Sequence, residues 1–247
     1  MKKIVEYFIR KRNPKFRFDP SLNSRALWQF GYMQAWCLLR GSRVLLAGRL
    51  SKGMMLGKGV RFFNLPKVRW GKFLKAGDHV FISGLGKDGI VFGNNVGIGA
   101  FSRIVVSTSL GDTGSYIRIG NNVGIGEFAY LGGAGGLTIG DDCIIGQYLS
   151  CHPENHHYND TNELIRNQGV FRKGIRIGSN CWIGSKVTIL DGVVIGDGCV
   201  IAAGSVVNSP IPPDSVIAGV PAKVIRHRGI DPGATVHSPF KNPPPGI

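Results

Sequence analysis

From Ile177 an aliphatic residue returns every sixth position, at Ile183, Ile189, Ile195 and Ile201, and the positions four further on from Ile177 onward are Cys181, Val187, Val193, Cys199 and Ser205. A period of six fits neither an amphipathic helix nor an alternating strand. It predicts a solenoid of short strands. In Ile-Gly-Asn-Asn-Val-Gly (119–124) and Ile-Gly-Asp-Asp-Cys-Ile (139–144) the first and fifth residues are apolar or small, and the third and fourth are turn formers that tolerate unusual dihedrals. Each hexad is then one flat strand and one corner. Three hexads close a triangular coil, and stacked coils pair their strands through backbone hydrogen bonds while the aliphatic residues fill a narrow interior.

The period extends well beyond that run. Leu56, Phe62 and Val68 keep it, and a shift of two gives Trp70, Ala76 and Ile82, followed later by Phe92, Ile98 and Ile104. It resumes at Ile119, Ile125, Leu131 and Leu137 after an irregular stretch (105–116), then slips by two to Ile139, Ile145 and Cys151. Residues 152–174 are polar, have no six-residue phase and contain His152, His156 and His157. The pattern predicts an all-β solenoid over 53–209 with excursions at 105–116 and 152–174, a basic helical segment before it (1–52), and a C-terminal segment with a Pro-rich, extended tail after it (210–247). Long excursions from a regular solenoid are where function sits.

Composition changes this picture little: the 37 glycines serve the corners, and five cysteines show no metal-ligand spacing. Cys143, Cys181 and Cys199 hold the small interior position of their hexads, which predicts packed thiols rather than disulfides. Charge changes it more. The first fifty residues hold eleven Lys or Arg against two acids, so nine of the formal net charge of +15 lie at this end. Within it, Ala26 to Leu39 form an aromatic-rich apolar stretch too short to span a bilayer and placed wrongly for a secretory signal. Two readings stay open: a helix that caps the exposed strand edges of the first coil, and a peripheral membrane contact through residues 1–49, with Trp28, Phe30 and Trp36 at the interface. No recognised nucleic-acid motif accompanies the charge, so no nucleic-acid partner is expected.

Four stretches, His-Pro-Glu-Asn-His-His (152–157), Asn-Cys-Trp-Ile-Gly-Ser (180–185), Ile-Ala-Ala-Gly-Ser-Val-Val (201–207) and Ala-Gly-Val-Pro-Ala-Lys-Val-Ile-Arg (218–226), resemble in order and spacing the hexapeptide-repeat acyltransferases, in the branch of the galactoside, maltose and streptogramin acetyltransferases and the polysaccharide O-acetyltransferases. The resemblance implies a left-handed parallel β-helix, a homotrimer with its active sites between subunits, and acetyl transfer from acetyl-CoA to a hydroxyl of a saccharide, with no metal. It makes His152, directly before Pro153, the general base, with His156 and His157 as alternates; strand alternation agrees, since an inward Cys151 turns His152 outward. It matches Trp182, Ser185, Ala203 and Gly204 to positions along the pantetheine arm, and Lys223 and Arg226 to positions near the nucleotide phosphates. After Val207 the family commonly has Thr-Lys, where this chain has Asn208-Ser209; Arg228 or a basic residue of the N-terminal arm is the candidate substitute. No carboxylate orienting the base is identified, Glu154 and Glu127 being the nearest by sequence and coil.

Other readings are weaker. A γ-type carbonic anhydrase would use His152 and His157 as zinc ligands, but the position 36 before His152 is Tyr116. A non-catalytic β-helix scaffold leaves the histidine-bearing excursion without a purpose. The acceptor follows from the N-terminus alone: membrane contact favours a surface-polysaccharide or lipopolysaccharide precursor, and a capping role leaves a small sugar or an antibiotic. The expected location is cytoplasmic, or peripheral on the inner face of the cytoplasmic membrane.

Overall fold

The computed structural model describes residues 5–7, 10 and 16–229. The Pro-rich tail and most of the basic stretch before residue 16 lie outside the described residues.

The repeat folds as a three-sided parallel β-helix. One face stacks Met55–Leu56, Lys75–Ala76, Gly97–Ile98, Gly124–Ile125, Ile144–Ile145, Trp182–Ile183 and Val200–Ile201. A second runs from Arg61–Phe63 through Ser150–His152 to Val206–Val207, and a third from Val68–Trp70 to Val194–Ile195. The pairings between coils are parallel, for example Ile125 with Ile98 and Ile145 with Ile183, with a register shift between Gly86 and Gly89. The six-residue column is therefore the core: Ile119, Ile139, Ile177, Ile183, Ile189 and Ile201 are buried, as are Cys143, Cys181 and Cys199 at the small positions. Phe62 is the exception, packing half-buried against the core.

The turn residues do two jobs. Asn95, Asn122, Asp142 and Asn180 all take the left-handed conformation that short polar side chains tolerate. Their preceding neighbours carry the stack from coil to coil. Asp141 Oδ1 accepts from the backbone N–H of Asn121 at 2.6 Å, and Asp197 Oδ1 accepts from that of Ser179 at 2.7 Å. At another corner a Cβ on Gly126 would lie 2.5 Å from the backbone nitrogen of Gln147, so only glycine lets the coils close to strand spacing there.

Two boundaries differ from those predicted. Stacking continues past 209, with Val216 and Ile217 paired to Val200 and Ile201 before the chain turns back as the antiparallel strand Ala222–His227. The first excursion is shorter than 105–116, since Val105 and Val106 are buried and a strand resumes at Gly114–Ile119; aliphatic residues out of hexad phase still fill the coil. The second excursion is ordered by its own hairpin, Asn155–His156 against Val170–Phe171. Asp191 pins its base by accepting from the backbone N–H groups of Lys173 and Gly174.

The N-terminal helix α1 (Ser24–Ser42) starts at Asn23, whose side chain accepts from the Ala26 N–H. Its C-terminal end and the following turn cap the first coil. Gly41 is buried where a Cβ would strike the Met54 carbonyl, Val44 enters the core, and Arg43 and Arg49 donate to the carbonyls of Val60 and Val68. The rest of the helix does not lie on the solenoid. Trp28, Phe30, Tyr32, Met33 and Trp36 are exposed.

Candidate active site

A pocket of about 480 Å³ opens where the two excursions meet over the second face. Its floor is the strand Ser150–His152 and its walls come from residues 105–109 and from the hairpin. Alternation along the strand sorts two neighbours. Cys151 points inward and is fully buried, while His152 is exposed at the pocket. Burial pushes the Cys151 thiol up to about 12, which keeps it a neutral thiol rather than a nucleophile.

Two contacts fix the His152 ring. Its Nε2 and the Ser150 Oγ are 2.6 Å apart, and its face stacks on Tyr130 at 5.5 Å between centroids. Tyr130 occupies the position of Ser150 one coil earlier, so the hexad register delivers it. His156 also lines the pocket, from the hairpin. His157 does not. Its ring packs at 5.0 Å against Phe171 on the partner strand of the hairpin, because alternation turns it away from His156.

The pocket wall is tied by one arginine. Arg172 donates through Nη1 and Nη2 to the two carboxylate oxygens of Asp112 (3.0 and 2.8 Å) and through Nε to Glu154 Oε2 at 2.6 Å. The hydrogen bond from Arg172 holds the Asp112 carboxyl below its usual range. Arg172 thus joins an excursion of one coil to that of another, sixty residues apart in the chain. Glu154 is thereby committed to Arg172, and Glu127 is exposed on a corner, so neither nearby carboxylate is bonded to His152. Ser150 holds that place. Nothing in the hexad count marked Ser150, Arg172 or Asp112.

The remaining site residues gather elsewhere. Trp182 projects from the first face and is 58% exposed; Ser185, Ala203 and Gly204 follow at the corner between the first and second faces. Ser185 Oγ donates to Gln147 Oε1 at 2.8 Å, and a Cβ on Gly204 would meet nothing within 4 Å, which leaves a bare shelf. Lys223 and Arg226 are exposed on the last strand, beside the first face. Arg228 is engaged with the Gly198 carbonyl at 2.6 Å. Within one chain the second face separates this corner from His152. The same face carries a column of exposed rings along the corner: His79, Phe101, Phe128 and Tyr148 stack at 5.3, 5.2 and 5.0 Å.

Residues 174–209 match the family described as bacterial transferase hexapeptide (six repeats). A probable acetyltransferase of Mycobacterium tuberculosis is 30% identical over 211 residues, covering 84% of this chain and 61% of that protein. The galactoside O-acetyltransferase of Escherichia coli is 40% identical over 94 residues, 36% of this chain and 43% of its own length. The chain thus spans about three fifths or less of these curated relatives. A hexapeptide-repeat acetyltransferase of Vibrio cholerae, solved in complex with acetyl-CoA, is similar over 85% of this chain and 92% of its own at 22% identity, with a TM-score of 0.38. The match over residues 174–209 is to the hexapeptide-repeat transferases, and the six-residue period that closes into a parallel β-helix makes the rest of the chain similar to that family.

Proposed function

We propose that the protein is an acetyltransferase that moves an acetyl group from acetyl-CoA to a hydroxyl of a saccharide, with His152 as general base. The observation that carries this reading is an exposed, doubly held imidazole at the floor of a polar pocket, in a chain whose curated relatives are named acetyltransferases. A sugar hydroxyl is a poor nucleophile at neutral pH. An imidazole that takes its proton as the oxygen attacks a thioester carbonyl contributes about 10²–10⁴-fold. The thioester supplies an activated acyl group, and the carbon–sulfur bond breaks as the carbon–oxygen bond forms.

Attack is direct rather than through an acyl-enzyme, because the nearest thiol, Cys151, is sealed in the core and protonated. The acceptor side is the pocket, whose hydroxyl-rich rim at Ser107, Thr108 and Ser109 suits a polyol. The donor side fits the corner shelf: Trp182, Ser185, Ala203 and Gly204 leave open backbone on which an extended arm can lie, and Lys223 and Arg226 offer cations for phosphates. Since these residues and His152 flank opposite edges of one face, a complete site takes its donor edge from a second copy, which favours the homotrimer. A surface-polysaccharide or lipopolysaccharide precursor is the acceptor class we favour over a small sugar or an antibiotic, because it suits the apolar, cationic N-terminal end. Among the described residues no group of three His, Cys, Asp or Glu could hold a metal ion.

The test is turnover of acetyl-CoA against a panel of saccharide acceptors. His152→Ala is expected to lose activity by at least about a hundredfold, and Cys151→Ala to keep it. Unchanged turnover in the histidine variant, or loss in a folded cysteine variant, overturns the mechanism.

A further inference from the structure

We infer that α1 and the basic first coils form a docking surface for a bilayer rich in anionic lipid. This does not depend on the reaction proposed above.

The first observation is an uncovered apolar stripe. Trp28, Tyr32, Trp36 and Leu39 recur at spacings of four, four and three, so they lie on one side of α1, and all are exposed. At about 100° per residue that side is opposite Gly41, the helix residue buried against the solenoid. The Tyr32 and Trp36 rings meet edge to face at 6.1 Å, a compact aromatic surface turned outward. Beyond the helix, Leu46 is 94% exposed and Leu50 72%. A contiguous exposed stripe of this kind marks a surface that another phase covers. The helix is not long and apolar enough to cross a membrane. It suits one that lies in the interface, where Trp and Tyr sit at headgroup level.

The second observation is charge, and it chooses the occupant. No Asp or Glu occurs between Asp19 and Asp78, a run that contains eleven Lys or Arg. Lys58, Arg61, Lys67, Arg69, Lys72 and Lys75 of the first coils are exposed. A second copy laid on this end would bring the same acid-free surface against it, and its cations would repel. A sheet of phosphate headgroups complements both parts at once, the cations by attraction of about 1 kcal/mol each and the rings by burial.

The full chain is tested by co-sedimentation with vesicles of phosphatidylglycerol and phosphatidylcholine, each alone. Binding to phosphatidylglycerol is expected to be at least about tenfold tighter and to weaken in about 0.5 M NaCl. The exposed triple variant Trp28→Ser, Tyr32→Ser, Trp36→Ser and the charge variant Lys58→Glu, Lys72→Glu, Lys75→Glu should each lose most of it, with unchanged circular dichroism. Three results overturn the inference: no binding to phosphatidylglycerol, equal binding to both lipids, or a ring variant that keeps vesicle binding but changes its oligomeric mass, which assigns the stripe to a second copy. Failure of the acetyltransfer assay leaves vesicle binding unaffected, so the two readings fail separately.

Discussion

Ser150 holds the position that a carboxylate holds beside many catalytic imidazoles. Its Oγ is 2.6 Å from His152 Nε2, while Tyr130 limits rotation of the ring by stacking. As a neutral partner it orients the ring without adding charge, which makes it a positioning residue. Ser150→Ala should therefore lower kcat by about three- to tenfold, since one neutral hydrogen bond is worth about 1 kcal/mol, and leave the acceptor KM nearly unchanged. A rise in KM alone would instead make Ser150 a substrate contact. A second serine supports a stability prediction. Ser205 Oγ is buried with no hydrogen-bond partner, at the interior position where the preceding hexads place Cys181, Val187, Val193 and Cys199. Ser102, equally buried, is bonded to the Gly126 carbonyl and the Ala129 N–H. An unmade bond costs and a made one does not, so Ser205→Ala should leave the unfolding midpoint unchanged or raise it, with a gain of up to about 1 kcal/mol, whereas Ser102→Ala should lose about that much. Equal losses from both would show that the Ser205 hydroxyl is satisfied in solution.

At the scale of elements, one guanidinium does what the repeat cannot. Coils are held to each other along every strand, but the two excursions have no ladder between them; Arg172 joins them by bonding Asp112 and Glu154. Isolated surface ion pairs contribute little, so the expected effect lies in the shape of the pocket rather than in global stability. Arg172→Ala should raise the acceptor KM by about tenfold, equivalent to about 1.4 kcal/mol, leave the KM for acetyl-CoA alone, and speed amide hydrogen exchange in residues 106–113. An equal rise in both constants would sink the idea. The pH behaviour follows from the sign of the shift. The Asp112 carboxyl is held low by the hydrogen bond from Arg172, so the clamp is complete above the usual carboxylate range and is lost as pH falls through the lowered value. Between about pH 6 and 8 it contributes no pH dependence to the rate.

The same contrast explains what could be read from the chain. Period and phase set Ile183 inward, Cys151 inward and His152 outward, because each follows from counting along a strand whose neighbours are copies of itself. Tyr130 was reachable by that logic, one coil before Ser150, though only the stacked rings reveal its contact. Arg172 and Asp112 were not, since the side chains that meet across two irregular loops leave no period. The position of His157 is illegible for the same reason: the hairpin that turns it onto Phe171 lies outside the hexad count. The helix stripe Trp28–Tyr32–Trp36–Leu39 was legible as a pattern, but its exposure depended on the solenoid seating only the helix end.

For the whole molecule, the corner between the first and second faces carries an outlier that a monomer does not explain. Phe101, Phe128 and Tyr148 adopt left-handed backbone conformations, at φ of 59°, 57° and 60°, where bulky residues are rare and where Asn95, Asn122, Asp142 and Asn180 serve at another corner. Their rings stack almost parallel, at 8° and 7°, and remain 51%, 44% and 49% exposed. Ile144 and Trp182 extend the same apolar surface across the first face. Strain in the backbone and an apolar face in water are offset together if the column packs against the second face of a neighbouring copy. In that arrangement the corner shelf at Ser185, Ala203 and Gly204 comes to the pocket edge at His152, joining the two halves that one chain keeps apart. Phe128→Glu would then set a buried charge in each of three interfaces. It should shift the protein from three chains to one in light scattering and abolish acetyl transfer while circular dichroism stays that of a folded β-helix. A monomer that retains full activity would show that one chain completes the site alone, and an intact trimer would move the interface to another face.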